Sequence, residues 1–133
     1  MSDGSGDAVP EGYLYSERHE WLRRDGDKAS VGITDHAQHA MGDIVFVELP
    51  APGRKVAAGE GFAAVESVKA AEEVFCPASG EVLEANGDLS AHPERVNQDP
   101  YGGAWIAKIR LADAGELSKL MDAAAYREFL KKT

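Results

Sequence analysis

Apolar and polar positions along this chain fall mostly into short runs of two-residue alternation, broken by Gly, Pro, Asn and Asp. That is the pattern of short strands separated by turns. Residues 20–24 lead into Asp25-Gly26-Asp27 and residues 29–33 follow, which predicts a hairpin with Asp-Gly in its turn. Thr34 is placed to cap a short helix over residues 35–41, with Asp35 in the first turn and Gly42 as the stop. Residues 43–49 form a strong strand, ended by Pro50-Ala51-Pro52-Gly53. Gly59-Glu60-Gly61 precedes a run over residues 62–66, and extended character resumes over 68–75. Pro77-Ala78-Ser79-Gly80 turns the chain into residues 81–85, and Asn86-Gly87-Asp88 ends that strand. Residues 90–103, with Pro93, Pro100 and Gly102-Gly103, read as loop, and residues 104–111 as a last strand. The period then changes. Leu117, Leu120 and Met121 recur at helical spacing, a stripe expected to pack a C-terminal helix on the body. Tyr126, Phe129 and Leu130 do the same, and Lys131 and Lys132 suit a helix end. The sum is a mainly β fold: a small β-sandwich or barrel with a short internal helix and C-terminal helices.

Composition narrows the function classes. A chain of 133 residues with 44% hydrophobic and 28% charged residues is one globular domain's worth. Residues 1–12 are small, acidic and Gly-rich, so they are expected to form a flexible tail ahead of a single domain over 13–133. They lack an apolar core segment and the arginines of a transit peptide. A net charge of −9 argues against nucleic acid and against anionic lipid surfaces. The longest apolar run, Ile44-Val45-Phe46-Val47, is far short of the ~20 residues that span a bilayer. One cysteine, Cys76, excludes an intramolecular disulfide framework, and its place beside Pro77 predicts a packed, inert thiol. No phosphate-binding loop or nucleophile elbow is present. His36 and His39 stand three apart on the short helix, a spacing that can bind metal, but no third ligand is evident in the sequence and no metal site is expected. His19 and His92 read as structural or solvent-facing, and Trp21 and Trp105 as core.

The informative stretch runs from Gly59 to Val82. Lys69 sits between two strand-like segments, with Gly59 ten residues before it and Gly80 eleven after. Two strands of similar length with turns at their bases make a protruding hairpin, with the lysine exposed at its tip. A lysine in a turn is ordinarily only a solvating residue. Its flexible stem also makes it a natural acceptor of a charge-removing amide.

The residue identities around it favour the second reading. The run Val65-Glu66-Ser67-Val68-Lys69-Ala70 resembles the lipoyl-attachment motif of the glycine cleavage system H proteins. The likeness extends to Tyr15…His19-Glu20-Trp21, to Val31-Gly32-Ile33-Thr34-Asp35…Ala37-Gln38, to Gly42-Asp43…Leu49-Pro50, and to Asn97…Asp99-Pro100-Tyr101 with Trp105. These motifs stand in the family's order over about residues 13–131. The resemblance implies a lipoyl/biotinyl-type hybrid fold and a carrier without intrinsic catalysis. Lipoic acid would be joined by an amide to Lys69. The carrier would take an aminomethyl group from the P protein to the T protein, and reducing equivalents to the L protein. Glu66, Ser67, Val68 and Ala70 match the tip read by the lipoylating enzyme. Glu20 and Glu73 match family positions lining the cleft that shelters the loaded arm; the alternative for each is a solvated strand face. Ala71-Glu72 replaces the more usual hydroxyl-rich pair, and Ala40 stands where some relatives carry a histidine. A monomer in the bacterial cytoplasm is expected, or in the mitochondrial matrix after removal of a transit peptide.

Other classes fit less well. Biotin attachment usually places Met on both sides of the lysine, where this chain has Val68 and Ala70. Lipoyl domains of ketoacid dehydrogenases are smaller and usually carry Asp before the lysine. An unmodified scaffold, or a relay that passes lipoate to other acceptors, stays open as a second reading on the same fold.

Overall fold

The computed structural model describes residues 7–132. Nine strands form two antiparallel sheets. The larger contains β1 (Leu14–Tyr15), β2 (Glu20–Asp25), β3 (Lys28–Ile33), β9 (Ala107–Leu111), β8 (Gly80–Ala85) and β5 (Lys55–Val56), side by side in that order. The smaller contains β4 (Ile44–Glu48), β6 (Gly61–Ser67) and β7 (Ala71–Phe75). The sheets face each other as an open sandwich, so of the two architectures expected it is the sandwich that forms.

Local chemistry explains the elements. Gly26 takes φ 66° in the β2–β3 turn, as an Asp-Gly hairpin requires. The Thr34 hydroxyl caps α1 (Asp35–Met41) by accepting from the Ala37 amide, and Gly42 ends it at φ 82°. The β4 run is less buried than its sequence suggests. A register shift between Ile44 and Phe46 turns both Val45 and Phe46 outward, while Ile44 and Val47 stay in the core. Gly80 serves close packing rather than a turn, since a Cβ there would meet the Arg110 carbonyl at 2.4 Å.

Two expectations need correction. Residues 90–103 are not simply loop: α2 (Asp88–Ala91) and α3 (Arg95–Gln98) are single-turn helices that bury Leu89 and Val96. Their two apolar residues are too few to show a period. The Leu117, Leu120, Met121 stripe is not one helix face either. A 3₁₀ turn over Ala114–Lys119 buries Leu117, then the chain extends so that Met121 bridges Tyr15. The true C-terminal helix, α4 (Ala123–Lys131), starts after the Asp122 cap.

The core has two parts. Leu22, Val31, Val47, Phe62, Val65, Val74, Val82 and Ile109 fill the space between the sheets. A separate aromatic seam holds α4 against the β1–β2 edge. There Tyr15 and Tyr126 stack at 4.5 Å, and Trp21 lies over Gly32 with its indole N–H donating to the Pro100 carbonyl. Residues 7–12 also lie on the body. Ala8 N–H donates to Asp35, the Tyr15 and Tyr101 hydroxyls donate to the Pro10 and Ala8 carbonyls, and Arg127 donates to the Val9 carbonyl. The docked chain thus reaches back to Asp7 rather than beginning at Tyr13; residues 1–6 of the expected tail lie outside the described residues.

Candidate functional site

The β6–β7 hairpin carries Lys69 at its tip. Glu66 pairs with Ala71 as the last cross-strand pair, and Ser67 N–H donates to the Ala70 carbonyl at 2.7 Å. The Ser67 hydroxyl accepts from the Lys69 and Ala70 amides, a local side-chain cap that holds the turn in shape. Val68 N–H donates to the Asp43 carbonyl, tying the tip to the strand beside it. Val68 is 73% exposed, and Glu66 and Lys69 are exposed. None of the ion pairs among the described residues involves Lys69. The lysine stem runs past Gly42, where a Cβ would stand 3.5 Å from Lys69 Cε, an ordinary contact. At the hairpin's base, Gly59 and Cys76 exchange backbone hydrogen bonds with Cys76 and Glu60. A rigid base and a capped turn therefore present one unengaged primary amine to solvent.

A cavity of about 340 Å³ opens next to that tip. Its walls include Ala70, Glu72, Glu73, Glu20, Arg18 and His36. Glu20 and Glu73, some fifty residues apart in sequence, both line it and Ala70 places the tip at its edge, but the Glu73 carboxylate lies against Gly61, which lines a neighbouring cavity. Their environments differ. Glu73 is exposed, and its side chain lies across Gly61, where a Cβ would meet its carboxylate oxygen at 1.9 Å. Glu20 is only 3% exposed, so it is not the solvated strand face offered as its alternative. One Glu20 oxygen accepts from the Ser16 hydroxyl at 2.5 Å and the other from the Phe75 amide at 3.1 Å. Burial raises its carboxyl pKa, partly opposed by those two hydrogen bonds and by the nearby Arg18 charge. Arg18 itself sits with its guanidinium 4.2 Å over the Phe75 ring.

Ser16, Arg18 and Phe75 are neighbours of Glu20 that sequence reasoning missed. The link depends on a tight turn in which Ser16 meets the Glu20 backbone and His19 takes φ 69°. His19 Nδ1 lies 2.7 Å from the Tyr126 hydroxyl, and its ring is 4.4 Å from that of His36. Burial first, and the His36 neighbour second, push its pKa down to about 4. It is a structural imidazole, as its sequence context suggested; His92 is exposed beside Glu94. Cys76 is buried with its Sγ on the Ala78 carbonyl, and burial pushes the thiol up to about 11, which leaves it unreactive. Trp21 is core, while Trp105 is half-buried under the Lys108 ammonium.

A family model described as "Glycine cleavage H-protein" matches residues 13–133. The chain belongs to the glycine cleavage H-protein family. A glycine cleavage system H protein of Parvibaculum lavamentivorans is 55% identical over 117 residues, covering 88% of this chain and 94% of that protein. One from Halothermothrix orenii is 52% identical over 124 residues, covering 93% and 97%. Among solved structures, a glycine cleavage system H protein from Mycobacterium marinum superposes with a TM-score of 0.82 at 35% identity, covering 93% of this chain and 98% of that one. The sandwich with its exposed hairpin is thus an H-protein architecture. Among the described residues, no helix is long and apolar enough to cross a membrane.

Proposed function

We propose that this H-protein-family chain is the lipoate-bearing shuttle of the glycine cleavage system, with Lys69 as the attachment residue. The observation that carries the reading is the exposed Lys69 amine, without an ion pair among the described residues, at the edge of a pocket lined by the buried Glu20. The residues present fit the group. Acylation needs an accessible amine, and Lys69 has no charge partner to lose. When bound, the group supplies a dithiol–disulfide couple and a sulfur that holds the aminomethyl cargo.

The chain's own residues bind, orient and shelter. Ser67 keeps the tip in one shape, so that Glu66, Val68 and Ala70 can be read together by a lipoylating enzyme. Glu20 lines the cavity, where an amine-bearing cargo is cationic and can pair with its carboxylate; Glu73 stands at the rim and reaches such a cargo by turning its exposed side chain from Gly61. Burial raises the cost of ionising Glu20, so a cation that enters beside it favours the carboxylate form. The pocket walls of Met41, Val65 and Val74 keep water from the sheltered end. Exposed Val45, Phe46 and Val68 sit beside the tip among Glu48, Glu66 and Glu72, an apolar and acidic docking face for the P, T and L proteins. With a net charge of −9, association with basic partner faces weakens as salt rises. A cytoplasmic monomer without catalysis of its own completes the reading.

The test is release of labelled carbon dioxide from carboxyl-labelled glycine by a purified P protein. The lipoylated wild-type chain supports release and Lys69→Arg does not. Equal release with Lys69→Arg contradicts the attachment site, and no release with a lipoylated wild-type chain favours the scaffold reading.

A further inference from the structure

The sequence offered His36 and His39 without a third ligand; the fold supplies it from the N-terminal segment. Asp7 folds back onto α1 so that its Oδ1 lies 2.6 Å from His39 Nδ1 and its Oδ2 lies 2.8 Å from His36 Nδ1. The Asp35 carboxylate lies 4.0 Å from the same His39 nitrogen. One ligand atom each from Asp7, Asp35 and His39 falls within 4.8 Å of the others. We propose that Asp7, Asp35 and His39 form a binding site for a borderline divalent metal ion of the zinc class, which fastens the N-terminal segment to α1.

Three arguments support it. The first is donor chemistry. One imidazole and two carboxylates are a nitrogen–oxygen set that suits zinc and cobalt, and three protein ligands leave a fourth position for water. The second is spacing. In a tetrahedral zinc site with bonds of about 2.0–2.2 Å, neighbouring ligand atoms are about 3.3–3.6 Å apart. The distances from His39 Nδ1, 2.6 Å to Asp7 and 4.0 Å to Asp35, straddle that value, and all three ligand atoms lie within 4.8 Å of one another. The third is the surrounding shell. His36 Nδ1–H can hold the second Asp7 oxygen. Gln38 Nε2 and the Ala8 amide donate to the two Asp35 oxygens. Such groups orient metal-binding carboxylates. The Asp7 side chain is 4% exposed at the back of the cluster while His39 is 58% exposed, which gives an ion a route in from solvent.

The experiment titrates the tag-free full chain, under oxidising conditions so that no dithiol competes, with Co²⁺ followed by Zn²⁺ displacement. The wild type gives saturable one-to-one binding with visible cobalt bands that Zn²⁺ removes, and Zn²⁺ raises its Tm. Asp7→Asn and His39→Gln each weaken binding at least about tenfold. His92→Ala, at an exposed histidine elsewhere, leaves it unchanged. Cooperative unfolding without metal shows that both variants still fold. Absence of saturable binding to the wild type, or binding that survives Asp7→Asn, overturns the proposal and leaves the cluster a hydrogen-bonded clasp.

Discussion

At the tip of the β6–β7 hairpin Val68 and Lys69 stand in solvent, while in the aromatic seam Tyr15, Trp21 and Tyr126 are almost completely buried. The tip makes one tertiary hydrogen bond from its backbone, to Asp43, and its side chains add little packing. The seam is all packing: stacked Tyr15 and Tyr126 rings, a Tyr13–Trp21 edge contact at 5.2 Å and a buried indole N–H on Pro100. The two regions divide the labour. The seam adds aromatic burial to the core between the sheets, whereas the tip residues contribute little to either.

The sharpest way to break this division is to exchange the two kinds of substitution. Trp21→Ala removes a buried ring, leaves the Pro100 carbonyl without its donor and costs about 3–5 kcal/mol in chemical unfolding. Lys69→Arg changes stability by less than about 0.5 kcal/mol. If the two variants lose stability equally, the tip is not the independent module described. Next come two glycines. Gly32→Ala drives a Cβ to 2.7 Å from the packed Trp21 ring and costs about 1–3 kcal/mol. Gly61→Ala meets the Glu73 side chain from Cγ to the carboxylate, an exposed chain that can swing away. It lowers the unfolding midpoint less than Gly32→Ala does, a difference that chemical unfolding of the two variants measures.

A smaller effect is the pH dependence carried by His19. Its folded-state pKa of about 4 lies below the usual 6.5, so the unfolded chain binds the proton first. The stability this neutral imidazole carries is present above pH 6.5 and lost as pH falls toward 4. His19→Asn, which tolerates the left-handed backbone, flattens that part of the profile of unfolding midpoint against pH. A slope that persists in the variant assigns the effect elsewhere. A modest change is also expected at the Asp122 cap of α4, where Asp122→Ala costs about 1 kcal/mol in chemical unfolding.

Local signals in the sequence carry much of this architecture. The Asp-Gly hairpin, the Thr34 cap with its Gly42 stop, and the lysine-tipped hairpin are each set by residues close together in the chain. What escapes a linear reading depends on distant contacts. Phe75 holds Glu20 across 55 positions, and Asp7 reaches His39 across 32. An acidic, Gly-rich leader looks like a tail because nothing in its composition reveals that α1 offers it two imidazoles. The outward turn of Val45 and Phe46 follows from a bulge that a continuous apolar run conceals.

The most direct measurement is the intact mass of protein from its natural cell, followed by peptide mapping across residues 56–95. The account predicts a single lipoyl amide, borne by the peptide that contains Lys69. A chain that is unmodified throughout, or acylated on another lysine while Lys69 stays free, contradicts it.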